Sequence, residues 1–138
     1  MKNKIKKPNV IKQFEKSCIS LAKEGIGFIN KEKIDQDLGK CIYTFLSNNR
    51  EILFQIYFYG IKWQKKGECI NLKFEQILSF NSILPLKEIV RLNKSSNNLE
   101  LVEIGFNTKL GIIKIEIPFV IYSTLLGTLS YAIKNFNG

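Results

Sequence analysis

The stretch GIKWQKKGECINLKF (residues 60–74) decides how the rest of the chain is read. Ile61 and Trp63 alternate with Lys62 and Gln64, and Ile70, Leu72 and Phe74 alternate with Asn71 and Lys73. A period of two is the spacing of a half-buried strand. Between the two runs lies KKGE (65–68), where Gly67 is free to take a positive φ. The stretch reads as a β-hairpin. Three roles are open to its turn: an active-site loop, a membrane-facing loop or scaffold.

Toward the C-terminus the same period continues. A corner at EQI (75–77) leads to LSFNSI, and EIVRLN and LELVEIGF flank the turn residues KSSNN, so all three segments are strand candidates. In IIKIEI, Ile113, Ile115 and Ile117 alternate with Lys114 and Glu116, and Pro118 ends the strand and opens a helix. Residues 117–133 carry no charge, but 17 residues sit at the short limit for a membrane span. Ser123, Thr124, Gly127, Thr128, Tyr131 and Lys134 fall on one side at helical spacing. Ile121, Leu125, Leu126, Leu129, Ile133 and Phe136 fall on the other, which predicts a helix lying on a core.

Toward the N-terminus, EILFQIYFYGIKW (51–63) reads as one long strand that bends at Gly60, with Tyr57, Tyr59, Ile61 and Trp63 on a shared face and Trp63 packed against Tyr57 or Tyr59. Before it, Ile34, Leu38, Cys41, Ile42, Phe45 and Leu46 recur at three- and four-residue steps, predicting a helix within 31–47 that ends at the SNN of 47–49. Residues 10–23 read as an amphipathic helix with Val10, Phe14, Cys18 and Leu21 inward, and residues 1–9 as a basic arm. The expected order is two N-terminal helices, five to seven antiparallel strands and one closing helix. That is an α+β, mainly β, barrel or sandwich in a single domain over 10–138, with a helical leader at 10–49 and a core at 50–138.

The second half resembles the bacterial pleckstrin-homology-like domains. The features that carry the resemblance are the strand GIKWQ, the turn KKGE, the strand CINLKF, the corner FEQILSF, and the closing IKIEIP followed by a helix from Phe119. It covers roughly residues 50–136. The resemblance implies a binding scaffold with no catalytic residues to carry over, whose ligand in the wider fold is a phosphoinositide, a peptide or another protein.

The chain has 138 residues and a net charge of +9. Residues 1–23 hold seven Lys and one Glu, so the charge belongs mainly to the terminal arm and the helix after it. The basic residues of the strand region are interleaved with Glu, and no nucleic-acid-binding module motif occurs, so no specific nucleic-acid partner is expected. Histidine is absent, which removes the commonest general base and any Cys–His pair. The three cysteines Cys18, Cys41 and Cys69 are odd in number and widely spaced, reading as free thiols of a cytoplasmic chain. No C-x-x-C pair suggests zinc, and Asp35 and Asp37 lack the pattern of a calcium loop. Neither catalysis, a metal nor a cofactor is expected.

The remaining expectation is a surface. The two leading helices are expected to offer Glu15, Lys16, Asp35, Asp37 and Lys40 to a protein partner, of which a toxin neutralised by an immunity protein is one concrete form. Reversing Asp35 and Asp37 is then expected to weaken the complex without changing the melting temperature. The alternative is a weak anionic-membrane contact through Lys62, Lys65 and Lys66, which gather near the hairpin turn in sequence.

Overall fold

The computed structural model describes residues 8–30, 32–47, 51–94 and 100–137. Residues 1–7 of the arm expected at 1–9 and the turn residues at 48–49 and 95–98 lie outside them, as do the side chains of Val10, Phe14, Thr128, Tyr131, Ile133, Lys134 and Phe136, while Pro8 and Asn9 belong to a helix rather than to the arm. The chain runs α1 (Pro8–Lys23), β1 (Ile34–Asp35), β2 (Gly39–Leu46), β3 (Ile52–Tyr57), β4 (Gly60–Lys65), β5 (Glu68–Lys73), a 3₁₀ turn (Phe74–Gln76), β6 (Ile77–Ser82), α2 (Leu86–Lys94), β7 (Leu101–Thr108), β8 (Gly111–Pro118) and α3 (Phe119–Asn137). The fold is mainly antiparallel β. Strands β1 to β5 form one meander and β6 to β8 a second, and every pairing is antiparallel.

The hairpin of residues 60–74 forms as its alternation predicts. β4 and β5 pair from Gly60↔Lys73 to Lys65↔Glu68, and Gly67 turns the chain at a φ of 83°. Ile61, Trp63, Leu72 and Phe74 are buried, and they join Phe54, Ile56, Phe106, Ile115 and Ile117 in one core between the sheets. Helix α3 closes that core with Ile121, Leu125 and Leu129 buried and Ser123 and Gly127 exposed, the one-sided division its sequence predicts. Leu126 is half-buried against the same core. Cys18 and Leu21 of α1 are buried in it as expected.

Several expectations are overturned. The second helix does not form, because residues 39–46 are strand β2. Cys41 through Phe45 are all buried, so this strand is covered on both faces and carries no alternation to read. A bulge between Cys41 and Tyr43 also turns Ile42 and Tyr43 to the same side, and that irregularity mimics three- and four-residue steps. The leader of 10–49 is thus helical only through Lys23, and the described residues hold eight strands rather than five to seven.

The EIVRLN segment is helix α2. Pro85 starts it by accepting Glu88 N–H at 2.9 Å and Ile89 N–H at 3.1 Å through its carbonyl, while Ile89 and Leu92 turn inward at helical spacing. The long strand at 51–63 is two strands joined by the two-residue turn Phe58–Tyr59. Gly60 is required there, because a Cβ would run into the Leu72 carbonyl and the Leu38 side chain. Finally, Trp63 lies opposite Phe54 on the core face, while Tyr57 points to the other face and Tyr59 is exposed in the turn. The indole Nε1–H donates to the Glu116 carbonyl at 2.8 Å and ties the two sheets together.

Candidate functional site

The outer face of the larger sheet, turned away from the core, is built in rows by the register. Cys41↔Tyr57 is one row, Thr44↔Gln55↔Lys62↔Asn71 the next, and Leu46↔Leu53↔Gln64↔Cys69 the last. The first two are largely buried. Cys41, Tyr57, Gln55 and Thr44 are between 0% and 3% exposed, with Leu38 packed on Cys41 and Tyr57.

A chain of side-chain contacts satisfies the polar atoms of this covered half. The Tyr57 hydroxyl donates to Gln55 Oε1 at 3.1 Å, Gln55 Nε2–H donates to Thr44 Oγ1 at 3.1 Å, and Cys41 Sγ lies 3.8 Å from that hydroxyl. Burial pushes the Tyr57 hydroxyl up to about 12 and raises the Cys41 thiol, so both stay protonated near neutrality. Cys18 in the core is likewise pushed up to about 12 by burial, then by Glu15 and Cys41. Both thiols are thus buried in their protonated form near neutrality.

The last row is open. Leu46, Leu53, Gln64 and Cys69 floor a groove of about 520 Å³, bounded by Glu51 and by Lys65, Lys66, Gly67 and Glu68 of the hairpin turn. Leu46 is 40% exposed and Cys69 is a free, exposed thiol. Its floor joins two aliphatic side chains to an amide and a thiol, with charges at the rim.

The residues singled out in the sequence are distributed differently. Asp35, Asp37 and Lys40 come together on the β1–β2 hairpin, whereas Glu15 and Lys16 lie on α1. Lys16, Asp37 and Lys40 are exposed, and Glu15 and Asp35 are half-buried. Asp35 is a structural acid. Its Oδ1 accepts Asp37 N–H at 2.8 Å and Leu38 N–H at 2.9 Å, and its Oδ2 lies 3.2 Å from Lys62 Nζ. The Leu38 amide first, joined by the Asp37 amide and Lys62, holds its carboxyl below the usual carboxylate range, against burial, which opposes them.

The hairpin lysines are not gathered into one cluster. The two-residue period of β4 places Lys62 on the outer face, its Nζ 5.7 Å from the Tyr57 ring centre, and Lys65 on the other side, where it pairs with Glu116. That pairing raises the Lys65 ammonium above its ordinary value. Only Lys66 of the three lacks an ion pair among the described residues. No group of three or more His, Cys, Asp or Glu that could hold a metal occurs among the described residues, and no described helix is long and apolar enough to cross a membrane.

Sequence reasoning missed the groove because its floor is assembled from four strands. Leu46 and Cys69 are 23 positions apart and come to the two ends of one row only through three successive pairings. The alternation of residues 60–74, which set Gln64 on the polar side, was the one available signal. No family model, no curated protein and no solved structure matches the chain.

Proposed function

We propose that this chain is a non-catalytic, pleckstrin-homology-like protein that binds another protein, with an immunity protein that neutralises a toxin as its concrete form. Supporting the architecture, the hairpin of β4 and β5, the corner after it and strand β8 followed by a closing helix occur where the resemblance in the second half implies them. The three free thiols suit a cytoplasmic setting.

The observation that carries the reading is the open Leu46–Leu53–Gln64–Cys69 row beside a fully satisfied, covered half of the same face. Anionic-lipid binding through the hairpin has less support, since Lys62 and Lys65 are spent on Asp35 and Glu116 on opposite faces of β4. The test is capture by tagged protein from native cells, with Leu46→Glu/Gln64→Glu as the comparison. Both side chains are exposed, so the melting temperature is expected to hold. A stoichiometric protein retained by the wild type and lost from the variant supports the reading. Equal retention by both, or a small molecule carried through purification with no protein, overturns it.

A further inference from the structure

We propose that the outer side of α2 is a second protein-docking surface, shaped for an acidic amphipathic helix of a partner. The helix buries Leu92 and rests Ile89 on the core, yet Leu86 is 75% exposed, Val90 44% and the preceding Ile83 51%. Leu86 and Val90 are four residues apart, so they form one ridge of the kind that seats in the groove of a second helix.

Charge defines the partner. At 100° per residue, Lys94 and Lys87 follow Leu86 and Val90 around the helix, so both lysines border the ridge on the same side. Both are exposed, and neither has an ion pair among the described residues. Arg91, further round, is consumed within the fold: its Nη2 lies 2.9 Å from Glu88 and 2.8 Å from Glu100. The Glu100 pair links α2 to the residue that precedes β7, whose carbonyl accepts Phe119 N–H at 2.9 Å. The ridge thus carries along one edge two lysines without an ion pair among the described residues. An aliphatic stripe flanked by carboxylates complements it.

Two other occupants fit less well. A second copy would bring the same lysines against this edge in a protein whose net charge is already +9. An anionic bilayer calls for a broad apolar face, whereas this helix of nine residues offers two exposed aliphatics and the neighbouring Ile83.

The inference rests on the protein-binding reading but uses a different surface, so the groove variant and the α2 variants fail independently. The probe is a synthetic amphipathic helix of about 18 residues, long enough to be helical, with leucines along one stripe and glutamates at its flanks. Its twin carries lysines in their place. Binding to the full chain is followed by fluorescence anisotropy. The glutamate helix is expected to bind more tightly than its twin, and to lose at least about tenfold in affinity with Leu86→Ser/Val90→Ser. Lys87→Glu/Lys94→Glu is expected to reverse the preference between the two helices. All four side chains are exposed, and an unchanged urea midpoint verifies each fold. Equal binding of the two helices, a preference that survives the charge reversal, vesicle binding abolished by Leu86→Ser, or a dimer dissolved by it would each overturn the proposal.

Discussion

The two halves of the outer face of the larger sheet are made of the same strands and end differently. Over the covered half, the turn that follows β1 lays Leu38 on Cys41 and Tyr57, and Asp35 is pinned to Lys62 across the sheet. Over the open half, Leu46, Leu53, Gln64 and Cys69 remain as a groove. The covered half contains more polar atoms, yet it is the buried one, because Tyr57, Gln55 and Thr44 satisfy one another. Apolar content therefore does not decide which part of a sheet is covered. What decides is whether a segment of chain is anchored there and whether the polar groups beneath it can pair.

The sharpest way to break this comparison is to truncate one residue from each half. Tyr57→Ala removes a fully buried ring and its hydroxyl bond, and is expected to cost about 3–5 kcal/mol of stability. Leu46→Ala in the open half is expected to stay within about 0.5 kcal/mol. Urea unfolding of both proteins measures the difference; similar losses would mean that the groove is structurally as important as the covered half.

A smaller effect is expected at the anchor. Asp35→Lys removes two backbone-capping bonds and reverses the pair with Lys62, for an expected loss of about 1–3 kcal/mol. Asp37→Lys, at an exposed side chain, should change stability by no more than about 0.5 kcal/mol. Reversing both is then expected to lower the melting temperature, contrary to the neutral effect anticipated from the sequence. Unchanged melting of Asp35→Lys would show that the turn is held by Leu38 alone.

The same anchor should titrate. The folded Asp35 carboxyl is held below its unfolded value, so its stabilisation is complete above the unfolded carboxylate pKa of about 4. It is lost as pH falls through the lower, folded value. The melting temperatures of wild type and Asp35→Asn are expected to differ at neutral pH and converge in acid. A gap that stays constant down to about pH 2 would assign the effect to shape rather than charge.

Least perturbing is a thiol count, which reads coverage without mutation. A maleimide should label Cys69 in the folded protein, and reach Cys18 and Cys41 only after denaturation. Rapid labelling of Cys41 in buffer would show that the turn after β1 opens readily.

Much of the core was legible because alternation on β4, β5 and β8 is a local property of the chain. One face of each strand meets apolar neighbours, and period two reports it directly. The closing helix was legible for the same reason, through the separation of Ile121, Leu125 and Leu129 from Ser123 and Gly127. β2 was not, since burial on both faces erased its alternation and a bulge supplied a false helical one. In α2, Ile89 and Val90 read as strand formers, but the Pro85 start and the inward Ile89 and Leu92 made a helix. Of the site, only the hairpin turn was visible.

By itself the sequence determined a hairpin at residues 60–74, helices at both ends, and a charge excess concentrated near the N-terminus, because each depends on neighbours within a few positions. It also determined that no histidine is available to any site. Tertiary structure alone decided the ion-pair partners of Lys62 and Lys65, the capping role of Asp35 and the opening of the groove. The destinations of those side chains are set by register between distant strands. Register is chosen by the burial of the whole sheet, and no local stretch of the chain carries that information.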